Sequence, residues 1–137
     1  MNSEINQIET ETNLAVGEHF IMDAWGVSRE RLNDPETIRE ALMKAIAAVK
    51  ATLINLTVHQ FSPHGVTATA TLAESHIALH TWPEHGYFGM DIFLCSGENP
   101  ELACRALEKF FEPKHVKKRH FSRGLAIEKT QPNSSEA

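Results

Sequence analysis

The residues able to do chemistry are concentrated in one part of this chain. Four of its eight histidines, His64, His76, His80 and His85, fall within 22 positions. Around them runs Leu72-Ala73-Glu74-Ser75-His76-Ile77-Ala78-Leu79-His80-Thr81-Trp82-Pro83-Glu84-His85-Gly86-Tyr87, with Asp91 and Cys95 downstream. The stretch supplies a serine hydroxyl, imidazoles and carboxylates within 16 positions. Two familiar chemistries can be weighed on it. His76, His80 and His85 with the Cys95 thiolate are zinc ligands by type. Ile77 to Thr81 reads as a strand, however, which sets His76 and His80 on one face about 13 Å apart at ~3.3 Å per residue. One ion cannot bridge them, so no metal is expected. A serine hydrolase needs a nucleophile elbow, and Ala73-Glu74-Ser75-His76-Ile77 has no flanking glycines. Ser75 and His80 are also five apart, so an unbroken strand points them to opposite faces. Joint action requires the chain to bend or break near Ser75.

The elements that must hold these residues follow from pattern. Gly17 to Ala24 reads as a strand ending at Trp25-Gly26. Asp34 suits a helix N-cap and Pro35 the first helical position. Ile38, Leu42, Ala45, Ile46 and Val49 then recur at helical spacing. Thr52 to Phe61 alternates, with Thr52, Ile54, Leu56 and Val58 on one face and Leu53, Asn55, Thr57 and His59 on the other. Ser62-Pro63-His64-Gly65 is a turn, and Val66 to Ala73 a strand, giving a hairpin. Ile77 to Thr81 and Tyr87 to Cys95 are further strands. A second helix starts at Asn99 and Pro100, with a stripe of Leu102, Ala103, Ala106, Leu107 and Phe110. Val116 to Phe121 and Leu125 to Glu128 complete the set. This order implies an α+β fold: a largely antiparallel sheet with two helices on one face, a two-layer sandwich. Phe61, Trp82, Phe88 and Phe93 are too apolar for a wet second face, which predicts a homodimer.

Composition bounds the partners. The 137 residues fit one domain, read as 14–129, with a flexible arm over 1–13 and a flexible tail over 130–137. Net charge is −5 from 13 basic and 18 acidic residues, which argues against nucleic acid. No apolar stretch approaches the ~20 residues of a membrane span. Met1 to Thr12 carries Glu4, Glu9 and Glu11 without a basic segment, so the expected location is the cytoplasm. Lys114, Lys117, Lys118, Arg119 and Arg123 read as the solvated face of an edge strand. Cys95 and Cys104 read as reduced thiols, with Cys104 packed in the core.

The motif from Leu72 to Tyr87, followed by Asp91-Ile92-Phe93-Leu94-Cys95, resembles the small prokaryotic S-adenosylmethionine decarboxylase family. The resemblance runs from about Gly17 to Gly124. It includes His59-x-Phe61-x-Pro63-x-Gly65-Val66 before the motif and Arg123-Gly124 after it. It implies a pyruvoyl cofactor that the chain makes from itself. The proenzyme would cut between Glu74 and Ser75 into chains 1–74 and 75–137, and Ser75 would become the pyruvoyl group. A cut there also removes the parity conflict. By the same resemblance His80 is the processing base, a task an imidazole suits at pH 7. Thr67 stands where the family commonly has a serine, as the hydroxyl serving the oxyanion. Cys95 is the proton donor after CO2 leaves, and the substrate amine is held as a Schiff base. Phe61 is the aromatic that stacks on adenine, and Glu84 accepts from the ribose hydroxyls. The chain departs from the family at Glu18, where an arginine is usual, and at Thr67, Phe88-Gly89, Leu94 and Ser96. Glu18 is a candidate second partner for a cation. These departures leave open a decarboxylase of arginine or ornithine on the same fold. A non-catalytic metal-binding or regulatory protein is the alternative of a different class.

Overall fold

The computed structural model describes residues 15–125. The expected arm and tail lie outside the described residues, as does all but Leu125 of the last expected strand. Six strands form one sheet in the order β2-β3-β4-β5-β1-β6, every pair antiparallel. They are β1 (Gly17–Trp25), β2 (Leu53–Gln60), β3 (Val66–Leu72), β4 (Ser75–Trp82), β5 (Tyr87–Cys95) and β6 (His115–Arg123). The helices are α1 (Arg29–Leu32), α2 (Pro35–Ala48) and α3 (Glu101–Phe111), with a single 3-10 turn at Pro83–His85. Among the described residues no helix is long and apolar enough to cross a membrane.

The helix starts obey their capping residues. Asp34 Oδ1 accepts from the Glu36 N–H at 3.3 Å, and Asp34 Oδ2 from the Thr37 hydroxyl at 2.7 Å. Asn99 Oδ1 accepts from the Glu101 N–H at 3.2 Å. Strand alternation sends Met22, Ala24, Ala68, Ala70, Ile77, Leu79, Met90 and Ile92 into one core with Ile38, Leu42, Ala45 and Leu107. The stripe of α3 is turned from the expected one. Ala103, Cys104, Leu107 and Phe111 are buried, whereas Leu102 is exposed and Phe110 only partly buried. Burial pushes the Cys104 thiol up to about 12, so it packs as a protonated core side chain.

Phe88 corrects an expectation. It is fully buried on the helix side, its ring 4.9 Å from that of Phe111. Burial of such a ring contributes about 1.5–3 kcal/mol. The open face is therefore less apolar than anticipated: His19, Asp23, His76, His80, Asp91, Thr67 and Thr69 lie among Trp82 and Phe93. Leu53 is a second correction. The β2–β3 register shifts between Leu53 and Asn55, and a bulge at Ile54 returns Leu53 to the face of Leu56 and Val58. Ile54, expected in the apolar row, is 63% exposed. In β6 most of the basic side chains are exposed at the sheet edge, but Lys118 is not merely solvated. Its Nζ lies 2.8 Å from Glu108 and 3.8 Å from Glu101 on α3, and the Glu108 bond holds its pKa up.

Candidate active site

β4 carries functional side chains at both ends. At its start, Ala73 and Glu74 form the tight connection from β3, because Leu72 pairs directly with Ser75. The Glu74 side chain is tied back to the residue before β2: Oε1 accepts from the Thr52 N–H at 3.0 Å and Oε2 from the Thr52 hydroxyl at 3.4 Å. That anchor leaves the Glu74 carbonyl directed at Cys95, whose thiol donates to it at 3.3 Å. Ser75 follows at φ +147°, a conformation rare for any residue but glycine and one that stores strain.

At the other end of β4, Phe61, His64, Thr67, His80, Trp82 and Glu84 line a cleft of about 410 Å³. Register sets Thr67 opposite His80, and the Thr67 hydroxyl lies 3.1 Å from His80 Nδ1. Thr67, expected as the hydroxyl serving the oxyanion, stands beside His80 within one protomer, and the thiol that donates to the Glu74 carbonyl of the same chain is that of Cys95. Glu84 sits on the 3-10 turn with its Oε1 3.0 Å from His64 Nε2. Phe61 and Trp82 are 49% and 43% exposed, leaving apolar faces free for a ligand. A segment without helical periodicity fixes this end. Asn33 Oδ1 accepts from the Gly65 N–H at 2.9 Å, and the Asn33 carbonyl accepts from Gln60 Nε2 at 2.8 Å. The buried Thr81 hydroxyl accepts from the Val66 N–H at 2.9 Å and donates to the Leu32 carbonyl at 2.8 Å. An unpaired group at such a place costs about 1–3 kcal/mol.

The two ends do not meet within one protomer. β4 is unbroken, so Ser75 and His80 are about 16 Å apart at ~3.3 Å per residue. Ser75 also shares strand parity with the buried Ile77 and Leu79, whereas His80 lies on the open face with His76 and Ala78. The expected break in the strand at Ser75 is absent from this uncut chain.

Two further groups occupy the open face. The Tyr87 hydroxyl donates to Asp23 Oδ1 at 2.5 Å, and burial followed by that bond raises its pKa to about 12. It stays a donor at neutral pH. His19, His76 and Asp91 place one ligand-type atom each within 4.8 Å of one another, the set that could hold a metal ion. Their hydrogen bonds point elsewhere. Arg123 Nη1, which can only donate, lies 3.3 Å from His19 Nδ1, so the His19 proton sits on Nε2. That Nε2 and His76 Nε2 each lie 3.1 Å from Asp91 Oδ2. The lone pairs a metal would need are already used, and a guanidinium stands beside them. The sequence singles out His76, Asp91 and Arg123 without joining them, and His19 only as part of the strand from Gly17 to Ala24, because strand order is not legible in it. It also leaves His64 unjoined to Glu84. Glu18 is on the helix-side face, bonded to His120 at 2.5 Å and Ser122 at 2.9 Å. It therefore faces away from Cys95 and His80 and is no second partner for a substrate cation.

Known proteins share both the sequence and the fold of this chain. The family described as S-adenosylmethionine decarboxylase matches residues 18–124. An S-adenosylmethionine decarboxylase proenzyme of Methanococcus maripaludis is 44% identical over 112 residues, 80% of this chain and 91% of the relative. One from Prochlorococcus marinus is 40% identical over 109 residues, 79% of this chain and 87% of its own. The crystal structure of the adenosylmethionine decarboxylase from Aquifex aeolicus superposes with a TM-score of 0.78 at 34% identity. It covers 84% of this chain and 96% of that one. A Trypanosoma brucei AdoMetDC structure shares the fold, with a TM-score of 0.58 at 19% identity over 85% of this chain and 55% of the other.

Proposed function

Since the chain belongs to the S-adenosylmethionine decarboxylase family, we infer that it is a self-processing decarboxylase of S-adenosylmethionine, supplying the aminopropyl donor of polyamine synthesis. One observation carries the assignment of its processing site: the Cys95 thiol rests on the Glu74 carbonyl oxygen, beside a strained Ser75.

Cleavage follows from these groups. Ser75 Oγ attacks the Glu74 carbonyl carbon and passes its proton to the amide nitrogen, so the C–N bond becomes an ester. The Cys95 S–H faces the oxygen on which negative charge develops. A base then removes the Cα proton of Ser75, and the Cβ–Oγ bond breaks. Residues 1–74 leave with a carboxylate terminus. The remaining dehydroalanine tautomerises, and water releases ammonia to leave a pyruvoyl group on residues 75–137. The residues present fit such a group, since Ser75 supplies a hydroxyl directly after the Glu74 carbonyl and the Cys95 thiol donates to that carbonyl. Once formed, it supplies an electron sink for the pair left by CO2. Cys95 is then placed to return a proton to substrate carbon. Phe61 and Trp82 offer π-faces to adenine, and Glu84 accepts from the ribose diol.

His80 is the processing base in this reading, and its distance from Ser75 requires a second copy. Two open faces related by a twofold axis, with their β4 strands antiparallel, lay one copy's His80 cleft over the other's Ser75 end. Such an isologous contact builds two equal sites.

Two measurements test the reaction. CO2 release from carboxyl-labelled S-adenosylmethionine should exceed release from arginine or ornithine at equal concentration; faster release from either amino acid overturns the substrate. Cys95→Ala should slow cleavage and, in chains that do mature, misdirect the proton. The fragment beginning at residue 75 then carries an N-terminal alanine in place of its pyruvoyl group after turnover and becomes open to Edman sequencing, the substrate leaving as an aldehyde. Normal turnover by that variant removes Cys95 from the mechanism.

A further inference from the structure

The chain linking Arg123, His19, Asp91 and His76 plays no part in the chemistry above, yet it crosses four adjacent strands, β6, β1, β5 and β4. It surrounds the Phe93 ring: the Arg123 guanidinium lies 5.1 Å from its centroid, His19 5.4 Å and His76 6.3 Å. It ends on the side chain that directly follows Ser75.

That position matters because the scissile bond has anchors on both sides. On the Glu74 side they are the two Thr52 hydrogen bonds. On the Ser75 side the side-chain anchor is His76 to Asp91. Cleavage removes the first from residue 75 altogether. What remains is a strand end, and strand ends fray unless tied down. A reacting group displaced by about 1 Å can lose some 10²-fold in rate. We propose that His76, held through Asp91, His19 and Arg123, is the positioning residue that keeps the new chain end at residue 75 aligned after self-cleavage. The inference rests on the reading of Ser75 as the cleaved residue. It assigns the relay to the mature enzyme rather than to the cutting step, during which Thr52 still holds Glu74.

The test compares Asp91→Ala with Asp91→Asn. Both histidines donate to a single oxygen of Asp91, so the amide oxygen of asparagine can take its place. Asp91→Ala should cut at close to the wild-type rate and then show kcat reduced about 10²-fold with KM little changed. Asp91→Asn should recover most of that kcat. Hydrogen exchange of amides 76–79 should quicken in mature Asp91→Ala but not in the uncut Ser75→Ala, Asp91→Ala chain. Equal loss of cutting and turnover, or failure of asparagine to rescue, overturns the proposal. So does a stoichiometric metal ion in the purified enzyme whose chelation abolishes activity. If the wild-type chain does not cut at all, the cleavage reading itself has failed and not the relay alone.

Discussion

Ser75→Ala should leave one uncut chain of 137 residues with no measurable decarboxylation, whereas the wild type resolves into 1–74 and 75–137. The effect is all-or-none because alanine has no oxygen to attack the Glu74 carbonyl, and no pyruvoyl group can form without that ester. Stability should change little. Ser75 is only partly buried, and among the described residues its hydroxyl makes no side-chain hydrogen bond. Thermal unfolding monitored by circular dichroism would confirm that the uncut variant is folded. Intact mass is the decisive reading: a Ser75→Ala chain that still splits between residues 74 and 75 refutes the mechanism.

His80→Ala should stop one step later. The ester can form but its Cα proton stays in place, so added hydroxylamine should split the stalled protein at residue 74. The separation along β4 leads to a sharper expectation. Ser75→Ala and His80→Ala chains, each inactive alone, should recover activity when co-expressed. A mixed dimer brings the intact Ser75 of one copy to the intact His80 of the other. Random pairing puts complete sites at about a quarter of the wild-type number. Isolated mixed dimers that contain no cut chain would show that His80 does not act across the pair.

Much of this arrangement was legible in the residues. Asp34-Pro35 and Asn99-Pro100 announced two helices, and the strands read over Val66 to Ala73 and Tyr87 to Cys95 appear as Val66–Leu72 and Tyr87–Cys95. Phe61, Thr67, His80 and Glu84 were named together, and one cleft holds them. The failures have physical reasons. Phe88 was set on one face with Phe93, although five positions along an unbroken strand turn two side chains to opposite faces, and the structure buries Phe88 under the helices. A bulge inserts one residue without a compositional mark, so Ile54 and Leu53 exchanged roles. α1 has four residues, too few for a periodic signal, although its end at Asn33 fixes the cleft. The His19–Asp91–His76 relay depends on β1 lying beside β5, a neighbour far away in sequence.

The strand order also bears on what happens after the cut. A cut before Ser75 would leave β1 in the first fragment, although it lies between β5 and β6 of the second. The two peptides are thus interleaved rather than merely adjacent. The uncut chain folds as a single molecule, with β1 tethered to the strands it must enter. Once cut, an unfolded enzyme consists of two separate peptides that must meet before either edge of β1 can pair. Renaturation becomes second order in concentration, and dilution favours loss. On the proposed cleavage, maturation would also be the surrender of unimolecular refolding: a chain folds once on its own, and thereafter lasts only as long as it stays folded.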